Sequence, residues 1–257
     1  MRLDSVEIKT TIAGAQVDRA LEAFGFAPKG QRLDIYFCED VTRGVSMTST
    51  PLLDLGVVLR ARDWHGEGPD STIKLRPCRR SQLTDHWLEN TSETTKVKIE
   101  ADWAGDRKVL AASCTASLPD DRIAHVHAGS KALPSLFSAD QERFLKDCAG
   151  IRVNLSMLTL LGPVTAWRWK PIQTRAPDPT LELQAERWTV DHTLDFLELS
   201  TRVKPADPEA AKSAFDELIR RRGFQLDADQ ENKTQRVLAY LVGNATRTSA
   251  GLEPSRR

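Results

Sequence analysis

Several short runs of this chain alternate between apolar and polar residues, and each alternation predicts a β-strand with one buried and one wet face. The first covers residues 5–11, with Val6 and Ile8 on one side and Ser5, Glu7 and Lys9 on the other. Residues 15–24 change to helical spacing through Val17, Ala20, Leu21 and Phe24, and Gly25 is placed to end that helix. A second strand is expected over 32–38, followed by a polar loop over 39–51. The clearest pattern lies in 57–77, which reads as a hairpin. Leu59, Ala61, Ile73 and Leu75 share one face, and Arg60, Arg62, Lys74 and Arg76 share the other. Between them, 63–70 holds Gly66, Gly68 and Pro69, the composition of a hairpin loop.

Further along, 95–101 alternates again, while 110–117 fits either a helix or a strand. Residues 118–137 form a connector punctuated by proline. Ser138, three positions before Gln141, sets up a capping box for a helix through Cys148 that Gly150 closes. Strands are expected over 164–170, 181–188 and 195–203. Asp207-Pro208 starts a helix that Gly223 ends, and a last helix covers 233–241. The reading is one domain over 1–243 and a frayed tail over 244–257.

Composition narrows the partners. The 257 residues carry 36 basic and 36 acidic side chains, which gives no global reason to expect nucleic acid or an anionic membrane. Cys38, Cys78, Cys114 and Cys148 are widely spaced, with no CxxC pair, against a disulfide framework or a thiolate metal site. The opening MRLDSVEIKT lacks the apolar stretch of a signal peptide, and no run approaches the ~18 apolar residues of a membrane span. A reduced, soluble, cytoplasmic protein is expected, and the sequence leaves its oligomeric state open.

Charge sorting supplies the candidate chemistry. A solvated sheet face ordinarily mixes signs, yet the polar face of the 57–77 hairpin gathers four cations, an unfavourable arrangement unless an anion neutralises it. If the strands curl into a closed sheet, helices cover the apolar side and the charged side lines a lumen. Lys9, Arg60, Arg62, Lys74, Arg76, Arg168 and Lys170 would face it, together with Glu7 and Glu198 and the candidate acids Glu100, Glu182 and Glu186. Such a lumen suits a polyanion and a divalent metal.

In order, the short strand motifs are VEIK at 6–9, LRAR at 59–62, IKLR at 73–76, WRWK at 167–170, LELQAER at 181–187, FLELS at 196–200 and KTQR at 233–236. Spread over residues 5–241, they resemble those of the CYTH, or triphosphate tunnel metalloenzyme, superfamily. The resemblance implies an α+β fold, a closed antiparallel eight-stranded β-barrel with a charged lumen and helices outside. It implies hydrolysis of inorganic triphosphate, thiamine triphosphate or a nucleoside triphosphate with Mg²⁺ or Mn²⁺, or synthesis of cyclic AMP. Carried over, Lys9, Arg60, Arg62, Lys74, Arg76, Arg168 and Lys170 grip phosphate oxygens, Lys233 reaches in from the last helix, and Glu7, Glu198 and Glu186 hold metal. Glu7 and Lys9 are the catalytic pair.

Two departures stand out. The family's opening ExExK reads here as Ser5, Glu7 and Lys9, and Glu198 is followed by Ser200 where a second acid is common. Divalent ions of the magnesium type require carboxylate oxygens, so the phosphate clamp is better kept than the metal set. Two readings follow: a metal-dependent triphosphatase, or a noncatalytic module that binds a triphosphate or nucleotide.

Other candidates are weaker. His125 and His127 in AHVHA are read as a surface pair on a strand, His65 as a residue at the tunnel mouth, and Trp167 and Trp169 as core packing rather than a base-stacking platform. Neither GxxxxGK[ST] nor GxGxxG occurs. Arg220–Arg222 complement the dipole of their helix and require no nucleic acid.

Overall fold

A computed structural model describes residues 2–42, 48–89, 92, 94–173, 181–191, 193–226 and 233–249. Nine strands account for most of it: β1 (Ser5–Ala13), β2 (Gln31–Glu39), β3 (Val57–Trp64), β4 (Asp70–Leu75), β5 (Thr95–Ala104), β6 (Arg107–Ser117), β7 (Thr159–Gln173), β8 (Glu182–Val190) and β9 (Leu194–Val203). The helices are α1 (Val17–Phe24), α2 (Pro51–Asp54), α3 (Asp85–Leu88), α4 (Arg122–His127), α5 (Ala139–Phe144), α6 (Pro208–Arg221) and α7 (Lys233–Ser249).

Strand order is β1-β5-β6-β4-β3-β2-β7-β8-β9, a closed barrel. The α+β class and the closure agree with expectation, but the strand count and direction do not. Nine strands replace eight because the stretch 110–117, ambiguous by local pattern, belongs to the strand β6. The barrel is mixed, not antiparallel, because β1 runs parallel to β5. Side-chain periodicity reports which face is buried and carries no information on the direction of the neighbouring strand.

The chain gathers into two compact units, Met1–Leu33 with Lys98–Ala111 and Thr165–Glu231, and Asp34–Val97 with Ala112–Val164 and Asn232–Arg257. In the first, β1 lies between β5 and β9, and β9 continues the sheet to β8 and β7. Ile8, Leu183, Leu197 and Leu199 form the apolar side of that sheet, in one core with Phe24 of α1 and Phe215 and Ile219 of α6. Burying a side chain as large as Phe215 contributes about 1.5–3 kcal/mol. Asp207 accepts from the Ala210 N–H at 3.3 Å and Pro208 opens α6, as the sequence predicted. Trp169 packs on Phe26 and donates Nε1–H to the Ala27 carbonyl at 2.7 Å, in line with a core role.

In the second unit, β3 pairs with β4 and β4 with β6. Ser138 and Gln141 form the expected capping box at α5. Gln141 is fully buried and does more than cap: its amide donates to the carbonyls of Ser71 and Cys114, both at 3.0 Å, pinning β4 and β6 under the helix. The helix continues as a π-helical turn over Leu145–Ala149 and stops at Gly150 in the left-handed conformation. His125 and His127 lie on α4, not on a strand, and part company there. His125 Nδ1 is 2.9 Å from the Ser130 hydroxyl, while the His127 ring rests against Tyr36.

The last helix is longer than the expected 233–241, since α7 runs to Ser249. The remainder of the expected tail, 250–257, lies outside the described residues, as does part of the 39–51 loop. All four cysteines are free and buried. Among the described residues no helix is long and apolar enough to cross a membrane.

Candidate functional site

Strand register in the first unit places charged residues in rows across the sheet. Asp102 of β5, Glu7 of β1 and Arg202 of β9 are direct neighbours in one row. The next holds Lys9, Ser200 and Gln184, and the next Thr11, Glu198, Glu186 and Arg168. All of them point away from the apolar side occupied by Ile8, Leu197 and Leu199.

Lys9 is the centre of this patch. Its ammonium lies 3.1 Å from Glu7 Oε2, 3.6 Å from Asp102 Oδ2 and 4.0 Å from Glu198 Oε2. Asp102 is completely buried, so its charge is tolerated because a cation accompanies it. The predicted pair Glu7 and Lys9 is therefore in direct contact, and Glu198 joins it. Glu186 stands directly opposite Glu198 but turns to other partners. Its Oε1 accepts from Trp188 Nε1–H at 2.6 Å, and its Oε2 is 3.9 Å from Arg168. Lys170 is exposed and sits at an irregularity of register between Trp169 and Ile172, where face assignment by alternation no longer holds.

A second network lies one row beyond Glu7. Ser5 is opposite Glu100 on the parallel strand and donates its hydroxyl to Glu100 Oε1 at 2.9 Å. The same oxygen accepts from Lys98 Nζ at 2.6 Å and from Arg202 Nε at 3.2 Å, and Arg202 Nη2 donates to Glu7 Oε1 at 2.6 Å. Burial works against the Arg202 charge, and Glu7 and Glu100 more than offset it, so its pKa is raised.

In the second unit, Leu59, Ala61, Ile73 and Leu75 are buried, and Arg60, Arg62, Lys74 and Arg76 lie on the more open face, as the alternation predicted. The face is not wholly cationic. Asp70 belongs to β4 and pairs across with Arg62, which donates Nε–H at 3.0 Å and Nη2–H at 2.8 Å to its two oxygens. Trp64 completes the arrangement, with Nε1–H donating to Asp70 at 2.9 Å and its ring 5.0 Å from the guanidinium carbon of Arg62. His65, beyond the end of β3, is 3.0 Å from Asp34. Lys233 is buried at the first position of α7.

Three participants escaped the sequence reading. Asp102 lies beyond the alternation read over 95–101, and one more step of it, through Lys98 and Glu100, reaches this residue. Arg202 continues the visible series Glu198, Ser200, Arg202 on β9. Asp70 opens β4 and does not belong to the hairpin loop.

The carboxylates give a mixed answer on metal. Oxygens of Glu7, Asp102 and Glu198 surround one cation, the Lys9 ammonium, which marks a place of negative potential of the kind a divalent ion seeks. Among the described residues, however, no group of three or more His, Cys, Asp or Glu side chains is arranged to hold a metal ion.

No family model matches the sequence, and no curated protein matches it. Solved structures do. Over 97% of each chain, the protein superposes with a TM-score of 0.57 and 13% identity on a candidate adenylyl cyclase from Hippeastrum whose dominant activity is described as that of a triphosphatase. A candidate adenylate cyclase from Bacillus halodurans superposes over 91% of this chain and 97% of that one, with a TM-score of 0.59 and 14% identity. At such identities the likeness is one of fold. The fold is thus shared with these two proteins.

Proposed function

We propose that this protein binds a small triphosphorylated compound through its cationic strand faces and hydrolyses a terminal phosphoanhydride bond. The observation that carries the reading is the hairpin β3–β4, whose open face assembles Arg60, Lys74 and Arg76 beside the Arg62–Asp70 pair. A triphosphate carries several negative charges, and guanidinium groups grip its oxygens bidentately. The triphosphatase activity described for the Hippeastrum protein supports the choice of substrate class.

In this reading Arg60, Arg76, Lys74, Arg168 and Lys170 bind phosphate oxygens, Lys233 adds a further cation, and Arg62 contributes a guanidinium oriented by Asp70. Were a divalent ion to bind, Glu7, Asp102 and Glu198 are the acids that would hold it, with Glu186 opposite Glu198. Such an ion would supply charge neutralisation at the phosphoryl group. Lys9 neutralises the carboxylates in the meantime and offers a proton donor and a cation next to the same acids. Catalysis then rests on positioning and on stabilising the charge that develops on the terminal phosphoryl oxygens.

A second reading, binding without turnover, is favoured by one specific observation: Lys9 and Arg202 already neutralise acids that a metal would use. Incubation of the purified chain with inorganic triphosphate and with ATP, each with Mg²⁺ or Mn²⁺, tests both. Release of orthophosphate is the expected result. Calorimetric binding with no product supports the second reading, cyclic AMP replaces hydrolysis by cyclase chemistry, and absence of binding overturns the proposal.

A further inference from the structure

We propose that β6 completes the anion surface of the β3–β4 hairpin, with Thr115 and Ser113 supplying neutral hydrogen-bond donors between its cations, and that this three-strand face takes an oxyanion with no divalent ion bridging the two. The inference rests on the function proposed above in one respect, that the hairpin face is where phosphate groups go.

Register sets the composition of the face. Arg62, Asp70 and Ser117 form the row nearest the hairpin loop, Arg60, Thr72 and Thr115 the next, and Val58, Lys74 and Ser113 the third. The alternate residues of β6, Ala112, Cys114 and Ala116, are buried, with Cys114 opposite Ile73 and Ala112 opposite Leu75 on the apolar side. The Thr72 and Thr115 hydroxyls meet at 3.0 Å, which places both side chains on the same side of the sheet. Opposite residues on paired strands stand about 5 Å apart, and alternate residues along one strand about 6.7 Å apart. An oxyanion seated over the threonine pair is therefore within reach of the long Arg60 and Lys74 side chains and of the Ser113 hydroxyl.

Hydroxyls on the two faces of this sheet are used differently. On the apolar side, Ser71 Oγ donates to the buried Gln141 amide oxygen at 3.0 Å and is spent on holding α5. On the other side, Thr72 and Thr115 bond to each other, and among the described residues no hydrogen bond engages the Ser113 hydroxyl. Two hydroxyls carry two protons and their mutual bond uses one, so the pair keeps a proton to donate. Donation from a hydroxyl to an oxyanion is a charge-assisted bond that places no further like charge among the cations.

Asp70 is the single acid in the three rows, and both of its oxygens are engaged, Oδ1 by Arg62 Nε and Oδ2 by Arg62 Nη2 and Trp64 Nε1. The two rows beyond it combine Arg60 and Lys74 with three hydroxyls and contain no carboxylate. A divalent ion serves an anion site by tying phosphate oxygens to carboxylates. These rows offer none to tie, and their cations and hydroxyls neutralise an anion directly.

Calorimetric titration of the full-length chain with tripolyphosphate in excess EDTA tests this, and wild type is expected to bind. Thr115→Val, which keeps the shape and removes the hydroxyl, and Ser113→Ala are each expected to weaken binding about 10-fold, and Thr115→Ser to restore it. Binding that appears only when Mg²⁺ replaces EDTA overturns the proposal. So does unchanged affinity in Thr115→Val and Ser113→Ala when circular dichroism and melting temperature show both folded, and so does an equal loss in Ser71→Ala, on the opposite face. Orthophosphate release is read separately. Metal-free binding by a chain that releases none with Mg²⁺ upholds this inference and fails the triphosphatase reading, whereas release with Mg²⁺ and no binding in EDTA does the reverse.

Discussion

Asp70 holds Arg62 by both carboxylate oxygens, at 3.0 and 2.8 Å, from the position directly across the β3–β4 ladder. The pair is largely shielded from solvent, so it orients the guanidinium and at the same time cancels its charge. Asp70→Asn is expected to have effects of opposite sign. Stability falls by about 1–3 kcal/mol, because a charge-assisted pair and an acceptor for Trp64 Nε1–H are weakened together. Affinity for tripolyphosphate rises severalfold, because Arg62 regains its full charge for an incoming anion. Urea denaturation and calorimetric titration measure the two, and a fall in affinity removes Arg62 from the phosphate-binding set.

Gly30 lies against the backbone of β7 where Arg168 is carried. A β-carbon at Gly30 would come within 2.8 Å of the Arg168 carbonyl oxygen and 3.0 Å of the Trp169 ring, closer than real contacts allow. Gly30→Ala should destabilise by about 1–3 kcal/mol through overpacking and displace Arg168. Weaker tripolyphosphate binding in a folded Gly30→Ala protein is the expected reading, and unchanged affinity shows that Arg168 lies outside the binding surface.

Gln141 is the point at which α5 is fastened to the sheet. Gln141→Leu keeps the volume and removes the bonds to Ser71 and Cys114, leaving buried backbone carbonyls with weaker satisfaction. A loss of about 2–4 kcal/mol is expected by chemical denaturation. A loss below ~1 kcal/mol means that water replaces the amide.

Glu39 supplies a pH test. Its buried carboxylate accepts from the backbone N–H groups of Asp40, Leu52 and Leu53, tying the end of β2 to α2. Burial raises its pKa above the usual 4.5, and those three N–H donors offset only part of the rise. A raised folded-state value means that the contribution to stability is fully present below about 4.5 and is lost as pH rises through the folded value. Wild type should therefore lose stability relative to Glu39→Gln as pH increases from there towards neutrality. Parallel denaturation series of the two proteins check the direction, and a constant difference shows that Glu39 does not titrate in that window.

Residues with a strong local signature were legible in the sequence. The capping box at Ser138 and Gln141, the Asp207-Pro208 start and the apolar stripe of β3 and β4 depend on neighbours a few positions away, which the sequence displays directly. The carboxylate patch depends on strand pairing instead. Asp102 matters because β5 lies parallel to β1 and brings it beside Glu7, and no periodicity within either strand encodes that pairing. Arg202 was in view on β9 but had no role until register set it opposite Glu7. The same applies to Asp70, whose meaning changes from loop residue to ion-pair partner once β4 is seen to begin with it.

The pairing of β1 also governs how the molecule is made. Its partners are residues 100–104 on one side and 196–203 on the other, so β1 must wait until β9 has been made before both of its edges are hydrogen-bonded. Loop closure on that scale is slow, and an unpaired strand edge is a template for association with other chains. Fragments that stop short of β9 would leave this edge open, which makes truncated products of this protein prone to aggregate even where their helices form normally.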